Sequence, residues 1–84
     1  GKHLTIDQQS QKLIAQWNGF DIAGDESVRF NQPNSTAVAL NRVVGTNGSQ
    51  ILGKLDANGK VFLVNPNGVV FGKTAQVNVG GLVA

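Results

Sequence analysis

The residues of this chain whose side chains could do chemistry are few and scattered. Its 84 residues include five carboxylates, one histidine and no cysteine. Asp25 and Glu26 are adjacent, and neighbours in an extended chain point to opposite faces, so they are poor partners as general acid and base. Asp21 and Asp56 stand alone in the sequence. His3 has no cysteine and no close acid to share a metal with, and its position predicts a disordered, solvated terminus. Ser10, Ser27, Ser35 and Ser49 lack a nucleophile context, and a single histidine leaves little room for a triad. Gly80-Gly81 is not followed by the Lys-Ser/Thr of a phosphate loop. The expectation is a chain with no catalytic residues, no metal site and no cofactor.

Charge narrows the partners. Lys2, Lys12, Arg29, Arg42, Lys54, Lys60 and Lys73 give a net charge of +2 but form no run, so nucleic-acid binding is not expected. No apolar stretch approaches the ~18 residues of a membrane-spanning helix, and Gly1-Lys2-His3 carries no signal peptide. The absence of cysteine suits a secreted bacterial protein and equally a cytosolic one.

What the chain does have is amides and glycines. Charged residues make up 14% of it, against a usual share of about 25%. There are 11 Gly and nine Asn. The stretch Asn58-Gly59-Lys60-Val61-Phe62 returns nine residues on as Asn67-Gly68-Val69-Val70-Phe71, joined by Asn65-Pro66-Asn67-Gly68. Each Val/Phe cluster reads as a short strand and each Asn-Gly as a turn, since Gly enters the left-handed region freely and Pro fixes φ before the bend. Asn65, Pro66, Asn67 and Gly68 are therefore the leading candidate motif, with a structural turn favoured over direct contact with a partner.

The remaining elements read as β. Leu13, Ala15 and Trp17 share one side of the segment 12–17, with Ile14 opposite, and this favours strand over the helix that Asp7 could cap. Phe20 to Ile22 reads as the next strand. Val28 and Phe30 alternate with Ser27 and Arg29 after a turn at Gly24-Asp25-Glu26. Residues 36–40 and 42–44 read as apolar pieces joined through Asn41. Gly45 to Gly48 turns again, Ile51, Gly53 and Leu55 share a face, and Leu82-Val83-Ala84 closes the run. Trp17, Phe20, Phe30, Ile51, Phe62 and Phe71 are the expected core.

A weak repeat accompanies these turns. Residues 59–63 align with 80–84 at an offset of 21, and Phe30 to Ile51 and Leu40 to Val61 fall at the same offset. A period near twenty fits one coil of a parallel β-helix, with Asn ladders between coils. The rival reading is an antiparallel sandwich with Asn-Gly hairpins, against which Pro66 stands where a paired strand wants its N–H.

Taken together, Trp17 to Ile22, Val28-Arg29-Phe30, Gln32-Pro33-Asn34, Ala39-Leu40-Asn41-Arg42-Val43, Ser49 to Gly53, Leu55 to Gly59, Val61 to Gly68 and Val77 to Ala84 form a dense pattern. It resembles the N-terminal two-partner secretion, or haemagglutination-activity, domain of filamentous haemagglutinin-like bacterial exoproteins. The resemblance implies an all-β, right-handed parallel β-helix, with residues 1–84 as the N-terminal part of a longer domain. It implies a secretion and targeting module of an adhesin, haemolysin or contact-dependent inhibition protein. The implied partner is the periplasmic POTRA domains of a dedicated outer-membrane β-barrel transporter. Such a module passes through the periplasm of a Gram-negative bacterium and nucleates folding at the cell surface. Gln32-Pro33-Asn34, with Leu40, Asn41, Arg42 and Val43, is the secondary motif. It departs from the family's earlier Asn-Pro-Asn-Leu, which leaves no Asn at position 32. The alternative function is an adhesive segment binding host cell-surface glycans of the heparin type.

Overall fold

In a β-prone chain broken by Asn, Gly and Pro every few residues, strands stay short and side chains alternate between an inner and an outer face. The computed structural model describes residues 2–83, the last two by backbone alone; Ala84, the end of the expected closing run, lies outside them. Ten strands follow in order: β1 (His3–Asp7), β2 (Lys12–Trp17), β3 (Ser27–Asn31), β4 (Val38–Val43), β5 (Ser49–Ile51), β6 (Lys54–Ala57), β7 (Lys60–Val64), β8 (Val69–Phe71), β9 (Gln76–Asn78) and β10 (Gly81–Val83).

All pairings among the described residues are parallel, which removes the antiparallel sandwich. One sheet runs β1-β3-β6-β9, a second β2-β4-β7-β10 and a third β5-β8. The chain visits the three in rotation and builds a β-solenoid of about three turns. Its first coil contributes to the third sheet only a bridge between Ile22 and Ile51, so the strand expected at Phe20 to Ile22 is a single contact.

The register corrects the repeat. Gly81 pairs with Lys60 and Leu82 with Val61, at the expected offset of 21. Leu40, however, pairs with Phe62, while Ala39 pairs with Val61. Phe30 pairs with Ala57, and Ile51 with Phe71. Coils are not of one length: Ser27 lies under Lys54, 27 residues on, whereas Ser49 lies under Val69, 20 residues on. Most of the extra length is in residues 32–37, which bulge between β3 and β4 where Asn58-Gly59 alone joins β6 to β7.

The core fills the tube between the sheets. Val28, Leu55 and Phe30 come from the first sheet, Ala39, Val43, Val61 and Leu63 from the second, and Ile22 and Ile51 from the third, with Phe20 at a corner. Trp17 is half-buried against them, its ring edge-on to Phe20 at 5.3 Å. Two expected core residues lie elsewhere. Phe62 sits between the inward Val61 and Leu63, so strand alternation turns it to the outer face of the second sheet, beside Leu40. Phe71 shares the column of the fully buried Ile51, but on the last described coil of its sheet, where only one side is covered; it is 40% exposed.

Two more expectations fall. Asn41 is no joint: it is the buried middle of β4. His3 belongs to β1, in register with Ser27 and hydrogen-bonded through Nδ1 to the Ser27 hydroxyl, so it is not a disordered terminus.

Candidate functional site

The corner between β7 and β8 is the motif Asn65-Pro66-Asn67-Gly68. The Gly68 N–H donates to the Asn65 carbonyl at 3.0 Å, which closes a four-residue turn with Pro66 in its second place. Gly68 has φ of 99°, the only left-handed backbone among the described residues. The Asn65 side-chain oxygen accepts the Asn67 N–H at 2.9 Å. The other ends of both amides reach back one coil: Asn65 Nδ2 donates to the Asn47 carbonyl and to Ser49 Oγ, and Asn67 Nδ2 donates to the Gly45 carbonyl. The motif is thus a clamp. It holds its own turn and satisfies carbonyls in the preceding corner, which carries no strand to do so.

Gln32-Pro33-Asn34 sits on a different corner, between β3 and β4, so the two motifs do not meet. Gln32 is buried, and its Nε2 donates to the Ala37 and Lys60 carbonyls while its Oε1 accepts the Gly59 N–H. Asn58 grips the Gln32 main chain at both N–H and C=O, each at 2.7 Å. Asn34 Oδ1 accepts from the Thr36 N–H and hydroxyl, and Asn34 Nδ2 donates to Gln11 Oε1 one coil below. Gly59 lies in this corner with a negative φ. It is required by proximity, since a Cβ there would stand 2.7 Å from the Ala37 carbonyl and 2.9 Å from Gln32 Oε1.

Gln8, which sequence reasoning passed over, stands beneath Gln32 and repeats its contacts: Nε2 donates to the Gln11 and Val38 carbonyls. The signal was present, for Asp7-Gln8 and Asn31-Gln32 are like doublets at the register offset. One contact does not repeat. Gly59, level with Gln32 in the register, gives its N–H to Gln32 Oε1, whereas Gln32, level with Gln8, gives its own N–H to Asn58 Oδ1 instead. Gln8 Oε1 is buried without a partner.

The remaining motif residues spread across β4. Val43 faces the core, and Leu40 and the exposed Arg42 face outward. Asn41 accepts the Trp17 indole N–H at 3.0 Å and donates to the Phe62 carbonyl, so this fully buried amide links three coils. No cluster of metal-ligating side chains occurs among the described residues, and they include no helix long and apolar enough to cross a membrane. Carboxylates take up local partners: Asp21 accepts the Gln50 N–H, Glu26 accepts the Ala23 N–H, Asp7 accepts from Asn31 Nδ2, and Asp56 lies 3.5 Å from Lys54.

The family model for the TPS secretion domain matches residues 1–84. The chain belongs to this family. Among solved structures, the TPS domain here is similar to the HMW1 secretion domain from Haemophilus influenzae, with a TM-score of 0.79 and 38% identity over 89% of this chain and 22% of that one. Among curated proteins it is similar to a heme/hemopexin-binding protein of Haemophilus influenzae, 56% identical over 81 residues, or 96% of this chain. A second such protein, from strain Rd, is 51% identical over all 84 residues. The chain spans 9% of the length of each of these two relatives. The TPS domain is the secretion module of an exported exoprotein, in a secretion family rather than an enzyme family. Membership implies a dedicated outer-membrane transporter.

Proposed function

We propose that this TPS domain targets its exoprotein to the periplasmic POTRA domains of the transporter in an unfolded, strand-forming state, and that its corner motifs act afterwards as folding joints. The observation that carries this is the use of the Asn65 and Asn67 amides, which reach carbonyls of the preceding coil. A side chain already engaged within the fold is a poor hook for a partner, but it sets the register of each new coil as it emerges. Low charge and period-2 alternation suit strand addition to an exposed receptor edge, and folding then buries the same apolar face. The test compares wild type and Asn67→Ala for binding to purified POTRA domains, each natively folded and urea-unfolded, with circular dichroism on the same samples. Binding by the unfolded wild type and the unfolded variant alike, with weaker refolding of the variant, supports the reading. Loss of binding with β structure kept would make Asn67 a recognition residue and overturn it.

A second reading concerns host glycans, and one feature favours it. The outer face of the second sheet carries Lys12, Arg42 and Lys60, and none of the five carboxylates. Salt-sensitive retention on heparin, weakened by Lys12→Gln with Lys60→Gln, would support it; retention unchanged in the double variant would remove it. The name of the curated relatives further suggests a downstream passenger that handles haem or hemopexin, testable by pull-down with the full-length protein.

A further inference from the structure

The sequence holds four Asn-Gly pairs: Asn18-Gly19, Asn47-Gly48, Asn58-Gly59 and Asn67-Gly68. Asparagine is among the chemically labile residues, and a following glycine offers the least hindered backbone nitrogen. The reaction is intramolecular. The glycine nitrogen attacks the asparagine Cγ, a C–N bond forms, and the side-chain nitrogen departs as ammonia with the amide proton, leaving a succinimide. Water then opens either carbonyl of the ring, giving aspartate or isoaspartate.

The fold divides these pairs into two classes. At Asn58-Gly59 the attacking N–H is held by Gln32 Oε1 at 2.8 Å, and both ends of the Asn58 amide are held by the Gln32 main chain. At Asn67-Gly68 the Gly68 N–H is held by the Asn65 carbonyl, and the Asn67 amide donates to Gly45. Cyclisation at either pair must break bonds at both reacting groups. Among the described residues, by contrast, neither the Asn18 nor the Asn47 side chain has a hydrogen-bond partner, and neither the Gly19 nor the Gly48 N–H has an acceptor. Both asparagines are exposed, in bends outside any strand. A Cβ on Gly19 would meet only Asp21 Oδ2, at 3.8 Å, so that segment has room to move, whereas one on Gly48 would stand 2.9 Å from the Asn67 carbonyl, which makes Asn47-Gly48 the tighter and slower of the two.

We infer that Asn18 and Asn47 are sites of spontaneous deamidation in the folded protein, while Asn58 and Asn67 are protected by the corner clamps. The site at Asn47 has a structural consequence. Isoaspartate reroutes the main chain through the Asn47 side chain, which adds a methylene to it and turns the former Asn47 carbonyl, the acceptor that Asn65 grips at 3.0 Å, into a carboxylate off the main chain. Ageing at Asn47 therefore loosens the clamp of the following coil.

The test incubates the folded, secreted protein at mildly alkaline pH, digests it under acid conditions and maps the four sites by mass spectrometry. An isoaspartyl methyltransferase assay reports the rearranged product. The expected result is conversion at Asn18 and Asn47 several-fold faster than at Asn58 and Asn67, with the four rates converging in urea. A Gln32→Ala variant, which frees the Gly59 N–H, should raise conversion at Asn58 and leave Asn18 unchanged. Equal rates at all four sites in the folded protein, no conversion at Asn18 and Asn47, or faster conversion at Asn58 and Asn67 would each overturn the inference.

Discussion

At the scale of single residues, corner positions divide by the physical reason for their identity. Gly68 is needed for its φ alone, since a Cβ there would meet nothing within 4 Å. Gly68→Ala should cost about 1–2 kcal/mol, the penalty of a left-handed L-residue, and Gly68→Asn less. Gly59 is needed for space, so Gly59→Ala and Gly59→Asn should both destabilise, the larger side chain more. Urea midpoints by circular dichroism for these four variants test the distinction; the reverse order at either site would refute it. The two asparagines of the motif also differ. Asn65 makes three side-chain hydrogen bonds and Asn67 one. At about 1 kcal/mol per bond, Asn65→Ala should lower stability by about two to three times as much as Asn67→Ala in the same titration.

At the scale of elements, prolines 33 and 66 make unequal contributions. Pro66 presets the turn that Gly68 closes, so Pro66→Ala should cost about 0.4–1 kcal/mol through the freedom it returns to the unfolded chain. Pro33 lies in the loop before β4, where the turn is closed from the Ala37 N–H to the Asn34 carbonyl, outside Pro33. The expected outcome, read from urea midpoints, is a smaller loss for Pro33→Ala than for Pro66→Ala. The same corner explains what the sequence could and could not tell. Strand type and face were legible wherever period 2 was clean, as in β2, where Ile14 is 71% exposed between half-buried Leu13 and Ala15. The Asn-Pro-Asn-Gly turn was legible because few other conformations suit those four residues. Coil length was not, because residues 32–37 are polar and loop-like whether they bulge or lie flat, and one slip of register moves Leu40 from beside Val61 to beside Phe62. Nor was the role of Asn41 visible. An amide between Leu40 and Arg42 looks like a break until the Trp17 indole and the Phe62 carbonyl of two other coils are seen around it.

At the scale of the whole molecule, each coil touches only the coil before and the coil after, so stability is a sum of neighbour terms rather than a property of one centre. A residue between two described coils has cover on both sides, and a residue on the first or last described coil has it on one. Phe30 and Phe71 illustrate this within one chain: both face inward, yet Phe30 is wholly buried and Phe71 is 40% exposed. In a protein of these 84 residues alone, Phe30→Ala should therefore cost about 3–5 kcal/mol, while Phe71→Ala should cost a fraction of that. The same logic orders the backbone. The inner strands β3, β4, β6 and β7 have a partner on each side, whereas β1 and β9 lie at the edges of their sheet and β2 and β10 at the edges of theirs. Native-state hydrogen exchange on residues 1–84 alone should show protection highest in β4 and β7 and falling toward both ends, since an edge coil opens without breaking the pairs beneath it. A uniform level of protection across all coils would mean that the solenoid unfolds as one unit. It would also weaken the view that coils form one at a time during export, because a chain that cannot keep part of its coils folded cannot add them in sequence as it emerges.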